Sequence, residues 1–170
     1  MRQADVLLGG VALGGVAAVA AALVTQYTFG MQPCAWCVLQ RAIFLAASLA
    51  AVIGLLWRWA PGRRVSALLV AAFAACGAAA ALWQHFVAAA AASCDLSLAE
   101  RIVAALGLDE KFPEVFTAYA SCADAAVKLF GVSYEFWSLG LFLLMLAAAA
   151  RVWLRPPASA GRDRGSRTRK

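Results

Sequence analysis

No charged residue occurs between Val6 and Gln40. A membrane-spanning helix needs about 20 apolar residues, so this stretch is far longer than one span requires. It has to contain a span, a turn and the start of a second span, and Gly30 and Pro33 mark the break between them. Arg2 ahead of an apolar run resembles the start of a signal peptide. The run exceeds an ordinary signal core and no polar mature start follows it, so it is read as a span. The rest of the chain agrees, with 64% of its residues hydrophobic and 14% charged, against about a quarter charged in soluble domains.

Four spans are predicted, at about residues 6–27, 38–57, 65–83 and 134–154. Outer loops at 28–37 and 84–133 and a disordered basic tail at 156–170 complete the chain, within a single membrane domain at 1–155. In span one, Gly10 and Gly14 form a G-x-x-x-G that admits a close helix neighbour. Arg58-Trp59-Ala60-Pro61-Gly62-Arg63-Arg64 reads as an interfacial turn. Cys76, in the middle of span three, reads as a small buried packing residue. In the second loop, Leu108, Phe112, Val115, Phe116 and Tyr119 recur at helical spacing, which predicts a short amphipathic helix on the membrane surface. The fold class expected is an all-α membrane protein: a four-helix transmembrane bundle with a short outer amphipathic helix.

Charge orients the bundle. Arg2, the Arg58–Arg64 turn and the tail share one side, with few acids among them; the other side holds Asp95, Glu100, Asp109, Glu110, Glu114, Asp124 and Glu135. The positive-inside bias puts both termini in the cytoplasm and the two cysteine-bearing loops outside. The net charge of +6 therefore serves topology and lipid contact rather than nucleic-acid binding.

Cys34, Cys37, Cys94 and Cys122 then all lie on the side where disulfides persist. Four cysteines allow three pairings, and spacing does not choose among them. Cys34-Ala35-Trp36-Cys37 is a Cys-x-x-Cys that can close and reopen a small disulfide ring. Pro33 suits the start of a helix, which places Cys37 in the first turn, where the exposed amides and macrodipole favour a thiolate. Arg41 lies one turn on, on the same face, and adds a permanent positive charge. A zinc site would require a second ligand pair, and the chain has one histidine, so no metal is expected. No G-x-G-x-x-G suggests a flavin or nicotinamide.

In this order and topology the chain resembles the DsbB family of bacterial inner-membrane disulfide bond formation proteins. The resemblance rests on Cys34-Ala35-Trp36-Cys37 with Arg41, on Cys94-Asp95, on Leu108 to Cys122, and on Trp137 ahead of Gly140. It implies that a periplasmic thioredoxin-like (DsbA-like) dithiol attacks a Cys94–Cys122 disulfide and forms a mixed disulfide at Cys94. It further implies that electrons pass to the Cys34–Cys37 pair and that Cys37 meets a membrane quinone, ubiquinone or menaquinone. Arg41 corresponds to an arginine held near the quinone. His85 matches a position also associated with it, beside the plainer reading of a polar residue capping span three. The family often carries proline and an extended stretch before the partner-facing cysteine. Here Val87 to Ala92 is a valine and five alanines, a run that prolongs span three as helix.

Three rival readings stand beside this one, the plainest being a purely structural membrane protein stapled by two disulfides. A vitamin K epoxide reductase-like quinone reductase also combines four spans with Cys-x-x-Cys and loop cysteines, but its redox motif follows the loop pair, whereas here it comes first. A cysteine-based metal carrier would want more than three methionines and one histidine.

Overall fold

The computed structural model describes residues 2–57, 59–89, 97–125 and 127–154. Cys94, Asp95 and the basic tail lie outside the described residues. Four long helices carry the fold: α1 (Arg2–Phe29), α2 (Ala35–Leu56), α3 (Ala60–Trp83) and, closing the bundle, α7 (Tyr134–Leu154). All four are long and apolar enough to cross a membrane. In order round the bundle, α1 packs on α2, α2 on α3, α3 on α7, and α7 returns to α1.

The third helix starts earlier than the Pro-Gly pair suggests. Pro61 occupies its first turn, where a missing N–H and a fixed φ cost nothing, so Pro61 to Arg64 are helical rather than a turn. At its other end α3 continues through one turn of π-helix, Gln84–Ala88, so the alanine run does extend the helix at least that far.

The interior is built from small and branched residues with few aromatics. The rings of Phe44 and Phe142 stack in it, with centroids 3.9 Å apart and planes 5° from parallel. Gly77 makes room for them, since a methyl there would overlap the Phe142 ring. The close approach of α1 to α2 occurs at Gly15, where a methyl would meet Ser48 and the Phe44 carbonyl. Gly10 has nothing within 4 Å of its would-be side chain, and Gly14 has only Leu141 at 3.9 Å. The expected G-x-x-x-G seam is therefore displaced by one residue. Cys76 is exposed on the outer surface of α3, not buried: the small apolar thiol faces outward from the bundle, where it meets no polar demand.

The second loop differs in detail from its sequence pattern. Its amphipathic helix is α4 (Leu98–Ala105), opened by a capping box in which Glu100 accepts from the Ser97 N–H at 2.7 Å and donates its own N–H to Ser97 Oγ at 3.3 Å. Ala99 and Val103 are its buried face, packed toward α2. The residues from Leu108 onward form two single turns instead of one helix, α5 (Leu108–Lys111) and α6 (Pro113–Phe116). Pro113 forces the break, holding Phe112 out of the helical region at φ −137°, ψ 62°. A tight hairpin, β1 (Lys128–Leu129) and β2 (Val132–Ser133), leads into α7. Phe130 and Gly131 at its tip both take positive φ, 53° and 80°, as a two-residue type I′ connection demands.

Candidate functional site

Pro33 and Cys34 anchor the site. Cys34 is the N-cap of α2, with extended backbone (φ −86°, ψ 171°), and its carbonyl accepts the first helical bond from Val38 N at 3.0 Å. The Pro33 carbonyl accepts from Tyr119 N at 2.9 Å and from Ala120 N at 3.3 Å. Those two bonds tie the second loop to the first and bring Cys122 against Cys34.

Cys34 is fully buried, with the Cys37 sulfur 3.2 Å away and Cys122 packed against the same cluster. The bonds to Cys122, then to Cys37, and then burial hold the Cys34 thiol well above the ordinary thiol range. The same bond from Cys34 holds Cys122 below that range, against the opposing effect of burial. With Cys34 reduced, the arrangement thus has a ready thiolate at Cys122 facing a protonated sulfur at Cys34.

Around Cys37 runs a network that crosses three helices. Gln84 Nε2 donates to Cys37 Sγ at 3.2 Å, while its Oε1 accepts from Gln40 Nε2 at 2.7 Å. Arg41 is buried, and its guanidinium donates to Gln26 Oε1 and to the Val115 carbonyl, each at 2.9 Å. It does not snorkel outward as an interfacial anchor would. Gln26, Gln40 and Gln84 are all buried, and none of them was singled out from the sequence. Their signal was available as amides inside otherwise apolar spans, which are retained there only when bonded to a neighbour.

Cys37, Gln40, Arg41 and Gln84 share the wall of a cavity of about 720 Å³ between α1, α2 and α7. Its floor is apolar, from Ala18 and Ala22 on one side to Leu141 and Leu144 on the other. Leu144 is exposed on the outside of the bundle, so the cavity reaches the face that lipid would cover. Its size matches small-molecule sites, about 300–1,000 Å³, and fixed donors at one end above an apolar body suit a flat carbonyl compound with a lipid tail.

The structure thus brings Cys34, Cys37, Cys122 and Arg41 together. Cys94 lies outside the described residues. His85 does not line the cavity; the turn of π-helix aims Gln84 inward and sets His85 beside Glu135, Nδ1 to Oε1 3.2 Å.

The model of the family "Disulfide bond formation protein DsbB" matches residues 4–152. Proteins named Disulfide bond formation protein B are similar along most of their length. One from Nitrosospira multiformis is 31% identical over 91% of this chain and 94% of its own. One from Neisseria meningitidis serogroup A is 36% identical over 81% and 86%, and one from Pseudomonas syringae pv. tomato 33% over 82% and 81%. With a four-helix membrane bundle and a Cys-x-x-Cys held against a loop cysteine, the chain belongs to the DsbB family of disulfide bond formation proteins.

Proposed function

We propose that this protein reoxidises a periplasmic thioredoxin-like (DsbA-like) dithiol oxidase and passes the electrons through its two cysteine pairs to a membrane quinone. The carrying observation is the position of the Cys-x-x-Cys: Cys34 shares a buried cluster with the loop cysteine Cys122, while Cys37 opens onto the lipid-side cavity. One motif therefore joins a thiol exchanger to a lipid-soluble acceptor. Both termini are cytoplasmic in this reading and the cysteine loops periplasmic, from the charge asymmetry.

Each exchange conserves electrons. The partner's dithiol reduces a Cys94–Cys122 disulfide through a mixed disulfide at Cys94, and the partner leaves oxidised. The Cys122 thiolate then attacks Cys34, and the Cys34–Cys37 bond breaks to release the Cys37 thiolate. Cys94 resolves the Cys34–Cys122 bond and regenerates the loop disulfide. Quinone, when bound, supplies an acceptor of two electrons more oxidising than the partner, whose class stands at about −120 mV. Gln84 and Arg41 hold the Cys37 side of the cavity polar while Ala18 and Leu141 keep it dry. Ubiquinone and menaquinone both suit such a wall.

Anaerobic mixing of the purified protein with reduced thioredoxin-like partner and ubiquinone tests this. Loss of quinone absorbance in step with partner oxidation is expected, one quinone per disulfide. Partner oxidation with the quinone unchanged would refute the relay.

A further inference from the structure

Glu135 and His85 form a polar pair that the thiol steps leave unused. Glu135 sits in the first turn of α7 and is 4% exposed. One carboxylate oxygen meets His85 Nδ1. The other, Oε2, is buried with no hydrogen-bond partner among the described residues. Leaving such an oxygen unbonded is unfavourable, more so if charged, so a fold retains it where something else engages it. Glu135 lines the cavity that Cys37 and Arg41 also line.

His85 completes the geometry from outside. Its ring packs against Phe86 and Phe136, centroids 4.9 and 4.6 Å away, and its side chain is 31% exposed. His85 thus opens to the outside of the bundle at the outer end of α3, His85 touches Glu135, and Glu135 borders the cavity. The turn of π-helix at Gln84–Ala88 produces this division: consecutive residues serve the sulfur and the carboxylate. π-Turns of this kind are frequent at functional sites.

We propose that Glu135 is the proton donor to the quinone and that His85 reloads it from the outer aqueous face. This rests on the function proposed above. Reduction moves two electrons from the Cys34 and Cys37 sulfurs, which join as a disulfide, to the quinone, whose two oxygens take two protons. One proton passes from the Glu135 carboxyl to a quinone oxygen, and the second follows by the same path once Glu135 has been reloaded. The carboxylate then takes a proton from His85, which takes one from water. The thiols shed their protons to water, so two thiols and a quinone give a disulfide and a quinol. The other titratable groups at the cavity are Arg41 and Cys37 on α2 and Tyr134 beside Glu135. Arg41 is committed to Gln26 and Val115, and Tyr134 hydroxyl lies 3.5 Å from Thr25. Glu135 is the group left with a free oxygen.

The chain's single histidine makes the test direct. Ring-labelled protein gives one imidazole signal set, which ubiquinone should shift in the wild type and leave unchanged in Glu135→Gln. In steady state, Glu135→Gln should lower turnover about tenfold or more with the KM for quinone little changed, and Glu135→Asp should recover part of it. His85→Phe should show the same turnover loss. Cys122 alkylation in the same samples reports that each variant is folded. Wild-type turnover in Glu135→Gln, or an imidazole signal that still responds to quinone in it, would overturn the proton path alone. Failure of the wild type to reduce quinone would overturn the function reading and this inference with it.

Discussion

The middle of the bundle and its outer end handle polar groups differently. Below the outer end, buried serines bond backbone carbonyls, Ser48 to Phe44 of its own helix at 2.8 Å and Ser66 of α3 to Ala50 of α2 at 2.6 Å. At the outer end the polar side chains bond across helices: Gln40 to Gln84, Arg41 to Gln26, Gln84 to Cys37 and His85 to Glu135. Bonds to backbone carbonyls place no demand on a partner side chain, so the core around them is chosen for shape. Cross-helix satisfaction makes the outer end depend on the position of every helix, and it surrounds a reactive sulfur with fixed donors. The first region specifies a stable bundle, and the second specifies chemistry.

Substitutions in the two regions should therefore separate stability from turnover. Cys37→Ser is expected to abolish quinone-linked partner oxidation while leaving unfolding unchanged, because a hydroxyl cannot join the disulfide cycle. Phe142→Ala removes a stacked, fully buried ring and should cost about 3–5 kcal/mol of stability. Turnover per folded molecule should survive. Thermal unfolding in detergent alongside quinone reduction checks both, and a stable but inactive Phe142→Ala would dissolve the distinction.

Within the outer end, the effects should be smaller and specific to one step. Arg41→Ala removes a charged donor from the cavity wall, and a hydrogen bond to a charged group is worth about 1.5–3 kcal/mol. The KM for quinone should rise about tenfold or more. Arg41→Lys should fall between, since it keeps the charge and loses the planar fork. Gln84→Leu should slow electron transfer out of Cys37 by up to about tenfold, the upper end for a neutral donor. Exchange between the partner and the loop cysteines should continue in all three. Wild-type quinone kinetics in Arg41→Ala would reduce that residue to a structural tie between α1 and α6.

Much of this contrast could be read from the chain, for physical reasons that also explain what could not. Apolar length sets membrane spans, so four long helices were legible from uncharged runs. Which face of a span meets a neighbour was not, because lipid and protein interior are equally apolar. Hence Gly15 and not Gly10 lies at the close contact, and Cys76 faces out. In the second loop, the 3.6-residue recurrence through Phe112 was overruled by Pro113, a breaker visible in the sequence. The hairpin at Phe130-Gly131 carries no Asn-Gly or Asp-Gly, so it gave little warning. The thiols and Arg41 stood out by residue type, whereas the three glutamines matter through partners on other helices, which spacing along one helix does not reveal.

The finest test concerns Cys122, where the loop meets the bundle. Its thiol is held below the ordinary range chiefly by the hydrogen bond from Cys34, with burial acting the other way. A lowered value means that, while Cys34 is reduced, the thiolate persists to lower pH, so Cys122 should stay reactive at neutral pH where an ordinary thiol is mostly protonated. Removing the donor should reverse this. In a background lacking Cys37, Cys76 and Cys94, alkylation of Cys122 by iodoacetamide is expected to inflect below the ordinary thiol range. Adding Cys34→Ala should move the inflection upward, so that the rate at neutral pH falls a few-fold while the alkaline rates converge. Cys34→Ser, which keeps a donor, should lie nearer the parent. The change is small because thiolate fraction and nucleophilicity partly offset each other as the pKa falls. An inflection that stays put when Cys34 is removed would show that Cys122 owes its state to the loop alone, and the coupling between loop and Cys-x-x-Cys would have to come from the Pro33 carbonyl bonds instead.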